Sequence, residues 1–79
     1  MRDPSAEDIY PDVVGDRDGW FCELCERHVD RDVKWPDPMS PSIDHIIPLS
    51  WNGPHRYWNV RIAHLGCNIR RGAGHREAC

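Results

Sequence analysis

The chain has 79 residues, a formal net charge of −3 and 29% charged residues. A chain this short forms one small domain that buries only about 60% of the surface its unfolded form exposes, which excludes a large or multidomain enzyme. Seven prolines and six glycines leave little continuous apolar sequence, although four tryptophans are available for burial. Domains of this kind often need a disulfide, a metal or a partner chain in order to fold.

The opening residues, MRDPSAEDIY, contain no apolar run. They predict neither a signal peptide nor a membrane anchor, so we expect a cytoplasmic location without membrane contact. In a chain that is not secreted, close cysteine pairs bind metal more often than they form disulfides.

Charge is divided unevenly along the chain. Residues 1–55 hold five Lys/Arg against twelve Asp/Glu, whereas residues 56–79 hold five Arg against one Glu. The positive second segment is a weak indication of phosphate binding, since a solvated charged face is the usual explanation of such a run.

The first half of the chain predicts little regular structure. Residues 1–19 are expected to form an irregular or briefly helical lead-in, in which Pro11 ends the helical turn. Residues 20–29, WFCELCERHV, predict a knuckle, meaning a tight turn that carries two cysteines between apolar flanks. Residues 30–41 contain three prolines and predict a loop.

The second half predicts two strands and a helix. Residues 42–47 contain three isoleucines and favour a strand that ends near Pro48, and residues 60–63 favour a second short strand. A helix is predicted from about residue 64 or 65 to residue 73, where glycines stop it. These elements predict a small α+β fold, with a lead-in at residues 1–19 and the functional domain at residues 20–79.

Two pairs of metal-ligating residues share the spacing of zinc knuckles: Cys22-x-x-Cys25 and His64-x-x-Cys67. Two residues between ligands allow both side chains of a turn to reach one tetrahedral ion, and thiolate with imidazole suits Zn²⁺. The pattern therefore predicts a closed, structural Cys₃His zinc site whose binding energy, roughly 10 to 16 kcal/mol in zinc-finger peptides, supports folding.

Other interpretations of these cysteines stay open. A redox CxxC motif is one, but it should begin a helix in a βαβ context, and none is visible. Cys79 and His28 are competitors of His64 for the fourth ligand position, although the spacing of Cys79 does not favour it.

The segment that follows the knuckle resembles the HNH endonucleases of the ββα-metal, or His-Me finger, group. The residues that carry the resemblance are DHIIP at 44–48, Asn59, HLGCN at 64–68 and the basic IRRG that follows. It extends over roughly residues 20–74 and implies a ββα-metal core stapled by the zinc site. The sequence departs from many zinc-bearing members at His64, where they have Cys.

The resemblance implies an active site with a base and one divalent cation. His45 would be the general base, because a neutral imidazole can take a proton from the attacking water near neutral pH. Asp44 and Asn68 would supply oxygen ligands to Mg²⁺ or Mn²⁺, since hard ions prefer oxygen donors.

Further positions would support this site. Asn59 would bond backbone groups and hold the loop between the strands, so that His45 points correctly. Arg70 and Arg71 would contact DNA phosphates. Adjacent strand residues point to opposite faces, so the pair at 44–45 can share one phosphate only along a strand edge or where the strand bends before Pro48.

Each of these residues also has a plain structural interpretation. Asp44 could be a surface carboxylate, His45 a buried structural histidine and Asn68 a residue that bonds the knuckle backbone. The two arginines could be a solvated helix end. His55 and His75 belong to no recognisable constellation.

The sequence thus favours a metal-dependent DNA endonuclease that leaves 5′-phosphate and 3′-hydroxyl ends. Short HNH proteins of this type are similar to those encoded by phages and mobile elements, some acting beside a terminase, which would place the protein in the host cytoplasm. The alternatives are a non-catalytic zinc-dependent nucleic-acid-binding module and a zinc-knuckle protein-interaction domain. The joint presence of Asp44, His45 and Asn68 favours the enzyme.

Overall fold

A computed structural model of the chain describes residues 7–72, so His75 and Cys79 lie outside the described residues. The elements are α1 Pro11–Asp18, β1 Phe21–Cys22, β2 Arg27–His28, β3 Pro41–His45, the 3₁₀ turns Leu49–Trp51 and Tyr57–Asn59, β4 Val60–His64 and α2 Leu65–Gly72. Within this part of the chain, neither helix has the length and apolar character needed to cross a membrane. The predicted small α+β fold is confirmed.

Strands β3 and β4 form an antiparallel pair, and α2 continues directly from β4. The register runs from Pro41 opposite His64 to His45 opposite Val60. Helix α2 packs on both strands, which gives the strand–strand–helix unit that the sequence predicts. Strand β3 begins and stops within two residues of the limits predicted for it, residues 42 and 47. Pro48 and the turn after it prevent the strand from pairing further.

The knuckle at residues 20–29 is a second, very short antiparallel pair. Phe21 lies opposite His28, and Cys22 lies opposite Arg27. The turn closes through a 2.7 Å hydrogen bond from the backbone N–H of Glu26 to the carbonyl of Cys22. Strand β1 packs against β4, so the first cysteine pair faces the second.

The first helix departs from the prediction at Pro11. This residue begins the helix rather than ending it, because the first helical position has no intrahelical acceptor for an N–H and proline's fixed φ suits it. Gly19 closes the helix with a positive φ of 69°, a conformation that glycine adopts without a Cβ clash.

The end of α1 covers the outer edge of β4. Arg17 donates to the carbonyl oxygens of Tyr57 and Val60 at 2.6 Å each, and the Asp18 carboxylate accepts a 2.9 Å bond from the backbone N–H of Ile62. Two side chains therefore satisfy backbone groups that a neighbouring strand would otherwise pair.

The apolar core is small. Its buried members are Val14, Cys22, Val29, Val60, Ile62, Ala63 and Cys67. The tryptophans contribute less than their number suggests: Trp35, Trp51 and Trp58 are 76%, 77% and 66% exposed, and Trp20 is half-buried against the core. A core of this size agrees with the expectation that folding needs an added staple.

Candidate functional site

Four soft donor groups converge between the knuckle and the start of α2. They belong to Cys22 in β1, Cys25 in the knuckle turn, His64 at the end of β4 and Cys67 in the first turn of α2, and their ligand atoms all lie within 4.8 Å of one another. Ligands around one tetrahedral Zn²⁺ lie roughly 3.5 to 4 Å apart, given bond lengths of about 2.0 to 2.3 Å. The Cys₃His cluster can therefore hold a structural zinc ion.

The imidazole of His64 is oriented as a metal ligand. Its Nε2 lies 3.0 Å from the carbonyl oxygen of His28, and its Nδ1 lies 3.2 Å from the Cys25 sulfur and 3.6 Å from the Cys67 sulfur. Because a carbonyl only accepts, Nε2 carries the hydrogen and the Nδ1 lone pair faces the sulfurs. His28, the competitor for this position, has an exposed side chain and contributes its backbone carbonyl instead.

Metal binding by the Cys₃His cluster depends on pH through the protonation of the Cys25 thiol. Burial, together with a hydrogen bond to Cys22, raises the pKa of the Cys25 thiol above its usual range. The thiol form is thus favoured at neutral pH until a cation displaces the proton, so zinc binding releases protons and weakens as the pH falls.

A separate groove of about 720 Å³ lies beside the end of β3. Asp44, His45, Asn68 and Arg71 line it on one side, and its remaining walls are mostly apolar. Strand β3 ends at His45, and the chain bends at residues 46–47. Two neighbouring residues of one strand thus line the same groove, at the point where the strand ends and the chain bends.

Asp44 is buried, with 1% of its surface exposed, and two arginines hold it. Arg61 Nε lies 2.8 Å from one carboxylate oxygen and Arg71 lies 2.8 Å from the other. Burial alone would lower the pKa of Arg61, but its bonds to Asp44 and Glu23 outweigh that effect and raise the pKa. A carboxylate offers about four lone-pair sites, so both oxygens retain capacity for a cation.

The amide of Asn68 has a fixed orientation. Its Nδ2 donates to the Ser42 hydroxyl and to the Ile43 carbonyl, at 2.9 Å each. Since the nitrogen is engaged with strand β3, Oδ1 is the amide atom left to serve as an oxygen ligand at the groove.

Asn59 is buried and holds the loop between the strands. Its Oδ1 accepts from the Ile47 N–H at 2.9 Å, while its Nδ2 donates to the carbonyls of Ile47 at 3.1 Å and Pro54 at 2.8 Å. These are bonds of the kind that the predicted positioning role requires, and they connect the two sides of the turn that follows His45.

The two arginines of α2 lie differently. Arg71 turns toward the groove, where it also donates to the carbonyls of His45 at 2.7 Å and Ile46 at 2.8 Å. Arg70 is exposed. The nucleic-acid contacts predicted for them would therefore come from an exposed side chain at Arg70 and from a side chain already bonded to the end of β3 at Arg71.

His45 has a partner that the sequence did not reveal. Its Nε2 lies 3.0 Å from Nδ1 of His55, which comes from the loop between the two 3₁₀ turns. Burial and, second, the electrostatic interaction with His55 lower the pKa of His45 below its ordinary value, although Asp44 raises it. No spacing rule links residues ten apart across a turn, so only the fold brings the two rings together.

The strand–strand–helix unit and the Cys₃His cluster together define a small α+β domain with a cluster that can hold a metal ion. The family model described as HNH endonuclease matches residues 22–74, more than half of the chain, and the chain belongs to this family. Comparison with curated proteins found no match, and comparison with solved structures found none.

Proposed function

We propose that the protein is a metal-dependent endonuclease that hydrolyses phosphodiester bonds in DNA. The observation that carries this proposal is the position of Asp44, His45 and Asn68 on a single groove. A base and two oxygen ligands can there address one phosphate group, a combination that a domain with a purely binding role does not need. DNA is the proposed partner, and no feature of residues 7–72 identifies a terminase.

His45 is the proposed general base. Its imidazole accepts a proton from water as the water oxygen attacks phosphorus. The bond from phosphorus to the 3′-oxygen breaks, and that oxygen takes a proton from solvent water, which leaves a 5′-phosphate and a 3′-hydroxyl. The lowered pKa of His45 favours the neutral, proton-accepting ring at neutral pH.

Asp44 and Asn68 are the proposed ligands of the catalytic cation. A hard divalent ion such as Mg²⁺ or Mn²⁺ prefers their oxygen atoms and would neutralise charge on the scissile phosphate. Arg61 and Arg71 keep the carboxylate of Asp44 in place through their 2.8 Å contacts, so the ligand needs little reorganisation.

The remaining predicted residues support binding and orientation. Asn59 anchors the loop after His45 through its three backbone hydrogen bonds. Arg70, exposed on α2, is the proposed contact to a DNA phosphate away from the cleaved bond. Arg71 lines the groove and bonds the end of strand β3, and its proposed role is a contact to a phosphate in that groove.

The test is plasmid cleavage by zinc-loaded protein with Mg²⁺ or Mn²⁺ added or omitted. Omission is preferable to EDTA, because EDTA would also remove zinc. We expect His45→Ala to lower the rate by about 10² to 10⁴, the usual effect of losing a general base. Asp12→Ala, a change of an exposed side chain of α1 away from the groove, is the control and should cleave normally; equal cleavage by wild type and His45→Ala would overturn the assignment.

A second candidate is a zinc-dependent domain that binds nucleic acid without cutting it. The observation that favours it is the engagement of both Asp44 oxygens by arginines. The two candidates separate in one experiment: a binder shifts DNA in a gel and leaves the plasmid intact with every divalent cation, whereas the proposed enzyme nicks or linearises it.

A further inference from the structure

The His45–His55 contact joins the proposed base to a loop that is itself anchored. The two ring nitrogens are 3.0 Å apart, and the ring centroids are 5.2 Å apart with the planes tilted by 35°. The backbone carbonyl of His55 accepts a 3.2 Å bond from the N–H of Glu7, and the preceding carbonyl, of Pro54, accepts from Asn59. The ring of His55 therefore meets His45 from a backbone held on both sides.

A hydrogen bond between two neutral imidazoles needs one donor and one acceptor. If Nε2 of His45 donates to Nδ1 of His55, then Nδ1 of His45 keeps its lone pair and can accept a proton from water. If the donation runs the other way, Nδ1 of His45 already carries the hydrogen, and the ring has no free nitrogen for catalysis. Only the first arrangement leaves His45 competent as a base.

We propose that His55 is a positioning residue that accepts the Nε2–H of His45 and thereby presents Nδ1 of His45 to the attacking water. The proposal rests on the proposed nuclease function of His45 and adds a residue that the sequence motif does not contain. It follows the general behaviour of catalytic and metal-binding histidines, in which the bond made by one ring nitrogen sets the tautomer and the orientation of the other.

Three variants at position 55 separate this role from simple packing. His55→Asn retains an amide oxygen that can accept the Nε2–H, whereas His55→Leu and His55→Ala do not. We expect the Leu and Ala variants to lower kcat by roughly 10- to 100-fold with little change in KM, the scale seen when an orienting partner is lost. His55→Asn should recover most of that loss. Asp12→Leu, at an exposed residue of α1 away from the groove and the Cys₃His cluster, is the control.

The tautomer can be measured without any activity. Long-range ¹H–¹⁵N correlation spectra at about pH 8, above the ordinary histidine pKa of about 6.5, distinguish a hydrogen on Nε2 from one on Nδ1. We expect His45 to carry it on Nε2 in the wild type and in His55→Asn, and to become a mixture of tautomers in His55→Leu. Zinc content and urea unfolding of each variant report whether the fold is intact.

Several results would overturn the proposal. These are a wild-type His45 protonated on Nδ1, full activity in a folded His55→Leu, or a folded His55→Asn that is as slow as His55→Leu. If wild-type protein does not cleave DNA at all, the proposed function fails, and the spectra alone still decide whether His55 sets the tautomer of His45.

Discussion

The guanidinium of Arg71 donates to a carboxylate oxygen of Asp44 at 2.8 Å and thereby joins helix α2 to strand β3. The same side chain bonds the carbonyls of His45 and Ile46. One arginine thus fixes the proposed metal ligand and the backbone of the proposed base at the same time. Its neighbour Arg70 is exposed, so the pair allows positioning and DNA contact to be tested separately.

Arg71→Ala should reduce both stability and cleavage. It removes three hydrogen bonds and leaves the buried Asp44 with Arg61 as its remaining cationic partner, which we expect to cost about 1 to 3 kcal/mol in the free energy of unfolding. Urea unfolding followed by far-UV circular dichroism measures this. Arg70→Ala, a change of an exposed side chain, should cost less than Arg71→Ala, because interactions of exposed charged groups contribute about 0 to 1 kcal/mol.

Arg70→Ala should instead weaken binding to DNA of any sequence. Losing one phosphate contact is expected to reduce the slope of log affinity against log salt by about 1. Fluorescence anisotropy with a labelled duplex at several salt concentrations measures the slope. An unchanged slope would remove Arg70 from the DNA interface.

Zinc should be present at one ion per chain, and its loss should unfold the protein. Structural zinc contributes roughly 10 to 16 kcal/mol, as much as the whole stability of a typical domain, about 5 to 15 kcal/mol. We expect Cys22→Ser to bind little zinc and to give the circular dichroism of an unfolded chain. Cys79→Ser, the same change outside the described residues, is the control, and loss of zinc from it would place Cys79 among the ligands.

Asn59→Asp should destabilise the loop between the strands. A carboxylate can accept from the Ile47 N–H but cannot donate to the carbonyls of Ile47 and Pro54, which would then face a buried negative charge. We expect a loss of about 2 to 4 kcal/mol in the free energy of unfolding, measured with urea at neutral pH. A variant as stable as the wild type would show that the three hydrogen bonds of Asn59 contribute little.

Two glycines give opposite expectations for the same substitution. A Cβ on Gly53 would lie 1.8 Å from the carbonyl oxygen of Ile47, whereas a Cβ on Gly72 meets nothing within 4 Å. Gly53→Ala should therefore displace the turn and cost about 1 to 3 kcal/mol. Gly72→Ala, at the end of α2, should be neutral or add up to about 1 kcal/mol through helix propensity. Thermal unfolding of the two variants measures both changes in stability. Equal changes would contradict the close approach between a Cβ at position 53 and the carbonyl oxygen of Ile47.

The pH dependence of cleavage should have its acidic midpoint below the ordinary histidine value of 6.5. Burial and His55 lower the pKa of His45 more than Asp44 raises it, while Arg71 from α2 contacts the backbone of His45. A base works while it is neutral, so a lowered pKa preserves the rate to lower pH. The profile of kcat/KM reports this value.

Zinc content must be followed at each pH of that profile, because acid also protonates the cysteine ligands. A midpoint at or above 6.5 with zinc retained would contradict the expected environment of His45.

The sequence predicted most elements, and the four residues that converge in the Cys₃His cluster, for physical reasons. Short ligand spacings and β-branched runs are local signals, and they placed β3, β4 and the start of α2 within two residues. The predicted helix end at residue 73 lies outside the described residues. The prediction that Pro11 ends a helical turn was wrong, because proline can also begin a helix. Only the packing of Val14 into the core distinguishes the two cases.

The contacts that the sequence could not predict are those that the fold makes across long separations. Arg17 reaches Val60 over 43 residues, and Arg71 reaches Asp44 over 27. Nothing in the local pattern of an arginine says whether it will bond backbone, carboxylate or solvent.

The covering of β4 by Arg17 and Asp18 bears on how this protein can be shortened. The family match begins at residue 22, and the predicted division at residue 19 would leave α1 outside the functional domain. A chain trimmed to that boundary would uncover the edge of β4 and empty the place of Val14, which invites strand-to-strand association between copies. Insolubility of such a fragment would result from the uncovered edge of β4, and not from a defect in its Cys₃His cluster or its groove.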